Sequence, residues 1–438
     1  MEKRKKIGFN PSWLLLAFAL LLGFSCDDDN EGIKTFQVKI QLEYPEGYTA
    51  AADVNVKLTN AQSGAIVEKT TDATGTVAFT VTAGTYEVVA SETRTVGLNI
   101  VVFNGIKNSL VVTVDETVLL PLSESKTNQL VIKELYNGGC QKNDASGAFS
   151  NDKYVILYNN SDVPAVLENL SLAILTPLNA TSGNKDLKNE SLFYEAEGWI
   201  PAGYAYWTLG KTVTVEPGKQ IVIALNNAID NTVTYSNSIN FANPAYYATY
   251  DIATAYNNPA SYSVSELIPT TNYLKAYIYG AGNAWPISQI SPAFFVFTPK
   301  GISPADLATD VSYDDYYGDS QTAANHRKKI PVDWIVDGIE VTKKGDAGSY
   351  KRLTPAIDAG YVELTNQQGH TLYRNVDKTT TEAIAANAGK LVYTYTLGSD
   401  PSGIDAEASI KNGARIIYKD TNNSSNDFHE RSRASLRD

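Results

Sequence analysis

The sequence predicts a mainly β protein, built as two β-sandwiches in tandem, the second of which carries a large loop-rich insertion. Apolar and polar residues alternate in residues 36–42 and 54–58, a period of two that is typical of half-buried strands. Clusters of Asn, Asp and Gly separate such segments, as expected for turns. The chain has 438 residues, too many for one core at about 100–200 residues per domain. We therefore expect at least two folded units.

The composition is that of a folded and acidic protein. Hydrophobic residues make up 43% of the chain and charged residues 19%, which differs from the composition of disordered chains. The formal net charge is −12, and a polyanion would be repelled by such a surface, so we expect no nucleic acid partner. The two cysteines are Cys26 and Cys140. If Cys26 carries a lipid, no intramolecular disulfide can form.

Residues 1–25 have the pattern of an export signal. Basic residues at 3–6 precede the apolar run 13–22, which is too short to span a bilayer comfortably. The run ends in Gly23-Phe24-Ser25-Cys26, which resembles a bacterial lipobox, except that Gly23 stands where a stricter lipobox has Leu. The resemblance implies a lipid on Cys26 and anchoring in the outer membrane. A simple membrane anchor and a cleaved soluble form are the alternatives.

An acidic tether, residues 26–33, follows the signal segment. Asp27, Asp28 and Asp29 come directly after the cysteine. In Bacteroidota surface lipoproteins, acidic residues at this place act as an export signal towards the outer leaflet, and this stretch resembles one. The resemblance implies display at the cell surface. A solvated spacer is the alternative, because most charge runs are only that.

The first predicted unit spans residues 34–122 and reads as a meander of strands. Its motifs are Thr71-Asp72-Ala73-Thr74-Gly75-Thr76-Val77 and Ala83-Gly84-Thr85-Tyr86-Glu87-Val88. They resemble the carboxypeptidase-regulatory-like, or transthyretin-like, domain family. The resemblance implies a seven-stranded sandwich without catalytic residues, with Gly75 in a turn and the Tyr86 ring between the sheets. Residues 123–128 are the expected linker.

The second predicted unit spans residues 129–438. Its strand patterns include residues 130–136, 153–158 and 215–226, and a polar segment, residues 420–428, lies near the end. These segments resemble the lamin-tail domain, an immunoglobulin-like sandwich, although Ile156 stands where many members have an acidic residue. The resemblance implies a second β-sandwich.

An insertion at about residues 227–329 separates parts of this second unit. It is rich in Tyr, Asn, Ser and Thr, a composition close to that of carbohydrate-binding or peptide-binding loops. We therefore consider Tyr246, Tyr247, Tyr250 and Trp285 as candidate ligand-binding aromatics. The alternative is that these rings pack against the sandwich itself. A short helix is expected after Ser303, because a serine N-cap is followed by proline.

Few residue patterns point to catalysis or to metal binding. The histidines, His326, His370 and His429, lack metal-ligand spacing, and Cys140 is expected to be a buried small hydrophobe. Asp314, Asp315 and Asp319 form a weak candidate calcium site, for which a solvated loop is the alternative. On a strand expected over residues 332–341, Asp333 and Asp337 would share a face and would suit a glycosidase carboxylate pair, without any companion motif. We therefore expect that the protein is not an enzyme and that it has no cofactor. Calcium is the one candidate for a bound ion.

Taken over its whole length, the sequence resembles an uncharacterised Bacteroidota surface lipoprotein family, with a carboxypeptidase-regulatory-like domain followed by a lamin-tail-like domain. Members accompany TonB-dependent outer-membrane receptors. The resemblance implies a ligand-binding or accessory subunit in nutrient uptake, with iron-related or peptide cargo and with such a receptor or associated lipoproteins as partners. An extracellular hydrolase is the first alternative, and an adhesin or envelope scaffold is the second.

Overall fold

The computed structural model describes residues 34–437, except for 97–98, 127–129, 163, 182, 190, 347–348 and 396–399. Strands dominate the described residues, and the α-helices there have at most six residues. The prediction of a mainly β protein is confirmed. Within the described residues, no helix is both long and apolar enough to cross a membrane. The signal segment 1–25 and the acidic tether 26–33 lie outside the described residues.

The strands fall into two groups, which we call the N-terminal unit (residues 34–126) and the C-terminal unit (residues 130–437). Among the residues described, each sheet and each hydrophobic cluster belongs to a single unit. The strands of the N-terminal unit are β1 (Thr35–Glu43), β2 (Asn55–Asn60), β3 (Ile66–Thr70), β4 (Thr76–Thr82), β5 (Gly84–Val96), β6 (Asn99–Val112), β7 (Glu116–Pro121) and β8 (Ser123–Lys126). They form a three-stranded sheet, β4-β1-β7, and a five-stranded sheet, β3-β2-β5-β6-β8.

One hydrophobic core lies between these two sheets. Val38 and Ile40 of β1 are 0% exposed, as are Val56 and Leu58 of β2, and all four belong to the same cluster. Their polar neighbours along each strand are more exposed, as the period of two requires. The alternation seen in the sequence is therefore the division between core and solvent.

Two residues of this unit have the roles expected from the sequence. Gly75 has φ of 75° in the turn before β4, a conformation that glycine adopts without steric cost. Tyr86 is buried in the core, and its hydroxyl donates to the carbonyl oxygen of Thr82 at 3.0 Å. The expected linker differs, because Ser123–Lys126 pair with β6 as an edge strand and so satisfy its backbone groups.

The C-terminal unit contains one large sheet. In chain order its strands are β9 (Leu130–Tyr136), β10 (Cys140–Gln141), β11 (Ala148–Phe149), β12 (Tyr154–Asn159), β13 (Ala165–Leu167), β14 (Ser171–Ile174), β15 (Leu187–Lys188), β16 (Ser191–Leu192), β17 (Trp199–Gly203), β18 (Ala205–Thr208), β19 (Val213–Val215), β20 (Gln220–Ala224), β21 (Tyr247–Thr249), β22 (Tyr273–Ile278), β23 (Ala293–Phe297), β24 (Asp314–Tyr316), β25 (His326–Pro331), β26 (Ile335–Lys343), β27 (Val362–Leu364), β28 (Thr371–Arg374) and β29 (Phe428–Arg431). The large sheet has the order β27-β26-β23-β14-β18-β22-β21-β20-β12-β9-β28-β29, and the smaller sheets are β17-β25-β24, β10-β11, β13-β19 and β15-β16.

Short helices connect these strands. The α-helices are α1 (Pro304–Thr309), α2 (Lys378–Ala383), α3 (Ala406–Lys411) and α4 (Ser424–Asp427), and the 3-10 helices are Asn231–Val233, Thr270–Asn272, Val311–Tyr313, Val332–Trp334, Ala385–Asn387 and Ser435–Arg437. The helix expected after Ser303 is confirmed as α1, since the Ser303 side chain accepts a hydrogen bond from the backbone N–H of Asp306 at 3.1 Å.

The large sheet is buried on both of its faces. In β23, Phe294 and Val296 pack into one hydrophobic cluster, whereas Phe295 and Phe297 pack into another. All residues of β9, β12, β14, β18 and β23 are buried. A strand covered on both faces reads as a continuous apolar run rather than as an alternation, which explains the pattern of residues 293–297.

Residues 227–329, expected as a loop-rich insertion, contain long loops but also supply strands to the large sheet. β21, β22 and β23 all belong to that sheet, so this segment is part of the core of the C-terminal unit. The strand expected over residues 332–341 begins only at Ile335. Val332 starts a 3-10 turn, with its N–H donating to the carbonyl oxygen of Gly198 at 2.9 Å.

Candidate functional site

A segment rich in Asn, Ser and Asp, residues 419–428, lies between the two units, and we call it the polar loop. It is held by buried carboxylates. Asp427 accepts hydrogen bonds from the backbone N–H groups of Thr421 at 2.9 Å and Asn423 at 3.2 Å. Asp358 accepts from the backbone N–H of Ser424 at 2.7 Å. Because short polar side chains bond readily to nearby backbone, this sequence folds into a rigid connection without a long helix or strand.

The polar loop contacts the N-terminal unit directly. Asn104 of β6 is 0% exposed, and its amide donates to the backbone carbonyl oxygens of Thr421 and Asn422. Asn422 has φ of 50°, a left-handed conformation that Asn tolerates better than most residues. The two units therefore meet at a backbone turn that a buried amide holds.

A cleft of about 810 Å³ lies between the units beside this contact. One wall is the outer face of the five-stranded sheet, where the cleft-lining side chains are Asn55, Lys57, Glu68, Val89 and Ser91. The facing wall consists of the polar loop together with other segments of the C-terminal unit, including Asn160, Asn375 and Asp377. Ligand sites are commonly found where two units meet. This cleft is the candidate functional site, and we call it the inter-unit cleft.

The carboxylates that line the inter-unit cleft are engaged by protein groups. Glu68 accepts a hydrogen bond from the Asn55 amide at 3.5 Å. Asp377 caps α2, accepting from a backbone N–H at 3.0 Å. Asp420 lies 3.3 Å from the guanidinium of Arg374. Of these three carboxylates, Asp420 is paired with a cation, whereas Glu68 and Asp377 accept hydrogen bonds from neutral groups.

Two lysines also line the inter-unit cleft. Lys57 comes from one wall and Lys419 from the other. Among the described residues, neither ammonium forms a hydrogen bond or an ion pair. Lys57 interacts electrostatically with Glu87, and Lys419 with Asp400, and burial raises the pKa of both carboxyl groups. The walls of the inter-unit cleft therefore carry both ammonium and carboxylate groups.

A buried arginine, Arg374, supports the polar loop. Arg374 is 1% exposed, and its guanidinium pairs with Asp337 and lies 3.7 Å from Asp427. The Arg374 Nε also donates to the carbonyl oxygen of Ile132 at 2.7 Å, and its guanidinium lies over the ring of Phe428. Breaking a buried pair of this kind leaves an uncompensated charge. Arg374 is therefore a structural residue of the site.

The proposed glycosidase pair, Asp333 and Asp337, lines a second cleft of about 690 Å³. Asp337 accepts from the backbone N–H of Ile132 at 2.6 Å and of Gly338 at 2.7 Å, in addition to Arg374. Burial raises the pKa of Asp337, whereas Arg374 lowers it. Asp333 is 70% exposed. The geometry does not support a catalytic pair, because Asp337 has its acceptor positions filled by structural bonds.

Of the four candidate ligand-binding aromatics, two are buried and two are partly exposed. Tyr247 is 9% and Trp285 is 3% exposed, and both belong to the largest hydrophobic cluster of the C-terminal unit. Tyr250 packs against that cluster, and Tyr246 against a neighbouring one. The rings of Tyr247 and Trp285 are used in packing, and the binding role of the four residues stays a prediction.

Two members of the candidate calcium site form ion pairs. Asp314 pairs with Lys328, and Asp315 lies 2.5 Å from the Nε of Arg327. Asp319 is exposed. Within the part of the chain that the structure describes, no group of three or more His, Cys, Asp or Glu side chains could hold a metal ion. Asp314 and Asp315 thus have cationic partners on β25, and calcium binding stays a prediction.

The histidines occupy separate environments. The ring of His326 stacks on Tyr316 with centroids 4.9 Å apart. His370 Nδ1 lies 2.8 Å from a carboxylate oxygen of Glu430. The side chain of His429 is 10% exposed, and its burial lowers its pKa to about 3. These contacts are structural.

Of the two cysteines, Cys140 is 0% exposed, so the expected burial is confirmed. Cys26 and the acidic residues Asp27, Asp28 and Asp29 lie outside the described residues, and their roles stay predictions. Sequence reasoning missed Asn104 and Arg374. The signal that would have indicated them is an asparagine or an arginine at a strand position where the pattern predicts a buried side chain.

The structure thus defines a mainly β protein with a polar cleft between two packed units. Residues 216–435, half of the chain, match the model of the family described as Protein of unknown function (DUF4876). The chain belongs to this family. No curated protein matches the sequence significantly.

A solved structure is similar over most of its length. It is the crystal structure of a DUF4876 family protein from Bacteroides thetaiotaomicron, with a TM-score of 0.52, 19% identity, and coverage of 90% of this chain and 94% of that one. At this identity the likeness concerns the fold alone. The expected relationship to an uncharacterised Bacteroidota family agrees with both matches.

Proposed function

We propose that this protein is a surface-exposed outer-membrane lipoprotein that captures a polar nutrient in the inter-unit cleft and presents it to a TonB-dependent receptor. The observation that carries the binding role is the inter-unit cleft of about 810 Å³, with polar side chains on both walls. The export pattern of residues 1–25, followed by Cys26 and an acidic run, supports the location.

We also propose that the N-terminal unit is a carboxypeptidase-regulatory-like sandwich and the C-terminal unit a lamin-tail-like sandwich. The turn at Gly75 and the buried ring of Tyr86 support the first assignment. The second assignment is supported by β9, β12 and β20, which contain the segments that resemble the lamin-tail domain. β12 pairs antiparallel with both β9 and β20. In this arrangement the first unit forms one wall of the binding site as well as a spacer.

The location is tested in whole cells of the native organism. Radiolabelled palmitate should enter the native protein but not a Cys26→Ala variant, and external protease should degrade the native protein. Replacing Asp27, Asp28 and Asp29 together by Ala should retain the lipid and abolish protease access. Protection of the native protein from external protease would contradict surface display.

The partner is tested by affinity purification of the lipidated protein from solubilised outer membranes, with mass spectrometry of the proteins that co-purify. We expect a TonB-dependent receptor. A matched preparation of the Cys26→Ala variant serves as the control for binding that does not need the membrane. If no receptor is recovered and growth on every nutrient source is unchanged by deletion of the protein, the uptake role is wrong. An adhesin or scaffold would then be the better description.

A further inference from the structure

Polar contacts between the two units follow the direction of β5 and β6. The Asn104 amide of β6 donates to the carbonyl oxygens of Thr421 and Asn422. On β5, the carboxylate of Glu87 accepts a hydrogen bond from the hydroxyl of Tyr361 in the C-terminal unit. In the register of the two strands, Glu87 lies four residues along β5 from the partner of Asn104. These contacts therefore define a line across the interface, which we call the hinge line.

The interface along the hinge line is polar. Among the described residues, each hydrophobic cluster belongs to one unit, and no sheet contains strands of both units. Units whose interface is not a large apolar one are expected to move relative to each other. The contacts at Asn104 and Glu87 can therefore hold the units together while they rotate.

A cleft lies on each side of the hinge line. In the sheet β3-β2-β5-β6-β8, the inter-unit cleft is lined from β2, β3 and β5, whereas Glu124 of β8 lines the second cleft. The facing wall of the second cleft includes Lys300 and Asp333 of the C-terminal unit. Thr421 lines the inter-unit cleft and Asn422 lines the second cleft. The backbone turn that the buried amide holds thus stands between the two clefts.

We propose that the N-terminal unit rocks about the hinge line, so that the second cleft narrows when the inter-unit cleft widens. The clefts, of about 810 Å³ and 690 Å³, leave space for movement in either direction. A molecule that needs one cleft wide stabilises the conformation in which that cleft is wide. Because this conformation narrows the other cleft, binding at one cleft weakens binding at the other. The inference concerns the movement of the units and is independent of which ligand the inter-unit cleft binds.

Distances between pairs of spin labels, measured by pulsed electron paramagnetic resonance, test this movement. The labels are attached to cysteines introduced into the full mature chain with Cys26→Ser. Glu68→Cys with Lys419→Cys spans the inter-unit cleft. Glu124→Cys with Lys300→Cys spans the second cleft. The two distances are measured in separate samples and compared between variants.

Tryptophan introduced into one cleft acts as a wedge that forces its walls apart. Ser91→Trp places the ring in the inter-unit cleft, and Ala356→Trp places it in the second cleft. With Ser91→Trp, we expect a longer distance across the inter-unit cleft and a shorter distance across the second cleft. Ala356→Trp should shift the two distances in the opposite directions.

Control measurements exclude movement within a unit and labelling of the native thiol. Lys39→Cys with Glu68→Cys joins two exposed positions of the N-terminal unit, so the distance between these labels should be the same in every variant. Cys140 is 0% exposed, so the Cys26→Ser protein without introduced cysteines should take up no label. A wedge variant whose circular dichroism spectrum differs from that of the native protein is replaced by the leucine variant at the same position.

A shorter distance across the cleft without the wedge, in either wedge variant, supports the hinge. If neither variant shortens that distance, the inference is wrong. Unchanged distances would mean that the units form one rigid body. Lengthening of both distances would mean that the units separate instead of rocking about Asn104.

Discussion

Arg352 and Glu340 form an ion pair that is closed to solvent. The Nε of Arg352 donates to Glu340 Oε1 at 2.9 Å, and both side chains are 0% exposed. The other two nitrogens of the same guanidinium group donate to backbone carbonyl oxygens. Nη1 donates to Pro177 at 2.8 Å, and Nη2 donates to Ser291 at 2.7 Å. The second oxygen of Glu340 accepts from the backbone N–H of Leu353 at 2.8 Å. This pair therefore joins β26 to two distant loops of the C-terminal unit.

Glu340→Ala should destabilise the protein strongly, because it leaves the guanidinium of Arg352 buried without its counter-charge. Loss of one partner of a buried pair costs about 3–5 kcal/mol. The free energy of unfolding in urea measures this. Glu363→Ala, at an exposed position of the neighbouring strand β27, serves as the control and should change stability by less than about 0.5 kcal/mol. Equal effects of the two substitutions would contradict the structural role of the pair.

The sequence predicts those parts of the fold that depend on local pattern. The alternation of β1 and β2, the turn at Gly75 and the helix after Ser303 follow from residues that are neighbours in the chain. Burial of Cys140 follows from the general behaviour of lone cysteines. These features are confirmed because each depends on residues that lie within a few positions of one another in the chain.

The candidate site could not be predicted in the same way. Arg374 pairs with Asp337, which is 37 residues earlier in the chain, and Asn104 bonds to a carbonyl group 317 residues later. Such contacts depend on the order of strands in the sheet and on how the units meet. The periodicity of neighbouring residues carries no information on either. Composition alone also does not distinguish a binding surface from a core, and Tyr247 and Trp285 are buried although the sequence around them is typical of binding loops.

Cys140 should be unreactive in the folded protein. Burial, together with the nearby carboxylate of Asp152, raises the pKa of its thiol to about 12, so at about pH 8 only on the order of one molecule in ten thousand carries a thiolate. In a Cys26→Ser variant, Cys140 is the one remaining thiol. Mass spectrometry after iodoacetamide treatment should find no modification without denaturant and complete modification with it. Rapid labelling of the folded protein would show that the thiol is accessible.

His429 should make stability depend on pH. Its Nδ1 lies 2.6 Å from the side-chain amide oxygen, Oδ1, of Asn375, and its Nε2 accepts from the Nε of Arg431 at 3.2 Å, so the ring is neutral with its proton on Nδ1. Burial first, and then Arg431, lower its pKa from 6.5 to about 3. The unfolded chain therefore takes up a proton below about pH 6.5 while the folded protein does not. Stability should fall between pH 6.5 and 3, by up to about 1.4 kcal/mol per pH unit.

His429→Gln isolates the contribution of His429 to the pH dependence of stability. The carboxyl groups contribute equally to this dependence in the native protein and in the variant. The variant should be less stable at neutral pH, and its free energy of unfolding should fall less steeply below pH 6.5. His370→Gln is a control of the same chemistry at a more exposed position beside Glu430. Parallel pH profiles for the native protein and His429→Gln would contradict a neutral, buried imidazole.

Gly360→Ala should displace the polar loop and so weaken the contact between the units. A Cβ at this position would lie 2.0 Å from Asn423 Oδ1 and 2.5 Å from Ser425 Oγ, much closer than packed atoms allow. Overpacking of this kind costs about 1–3 kcal/mol, and sometimes more. We expect a lower melting temperature and faster proteolysis between the units, seen by mass spectrometry of the fragments. Gly183→Ala, where a Cβ would meet no atom within 4 Å, is the matched control. If both alanine variants melt alike, the polar loop yields without cost and does not hold the units together.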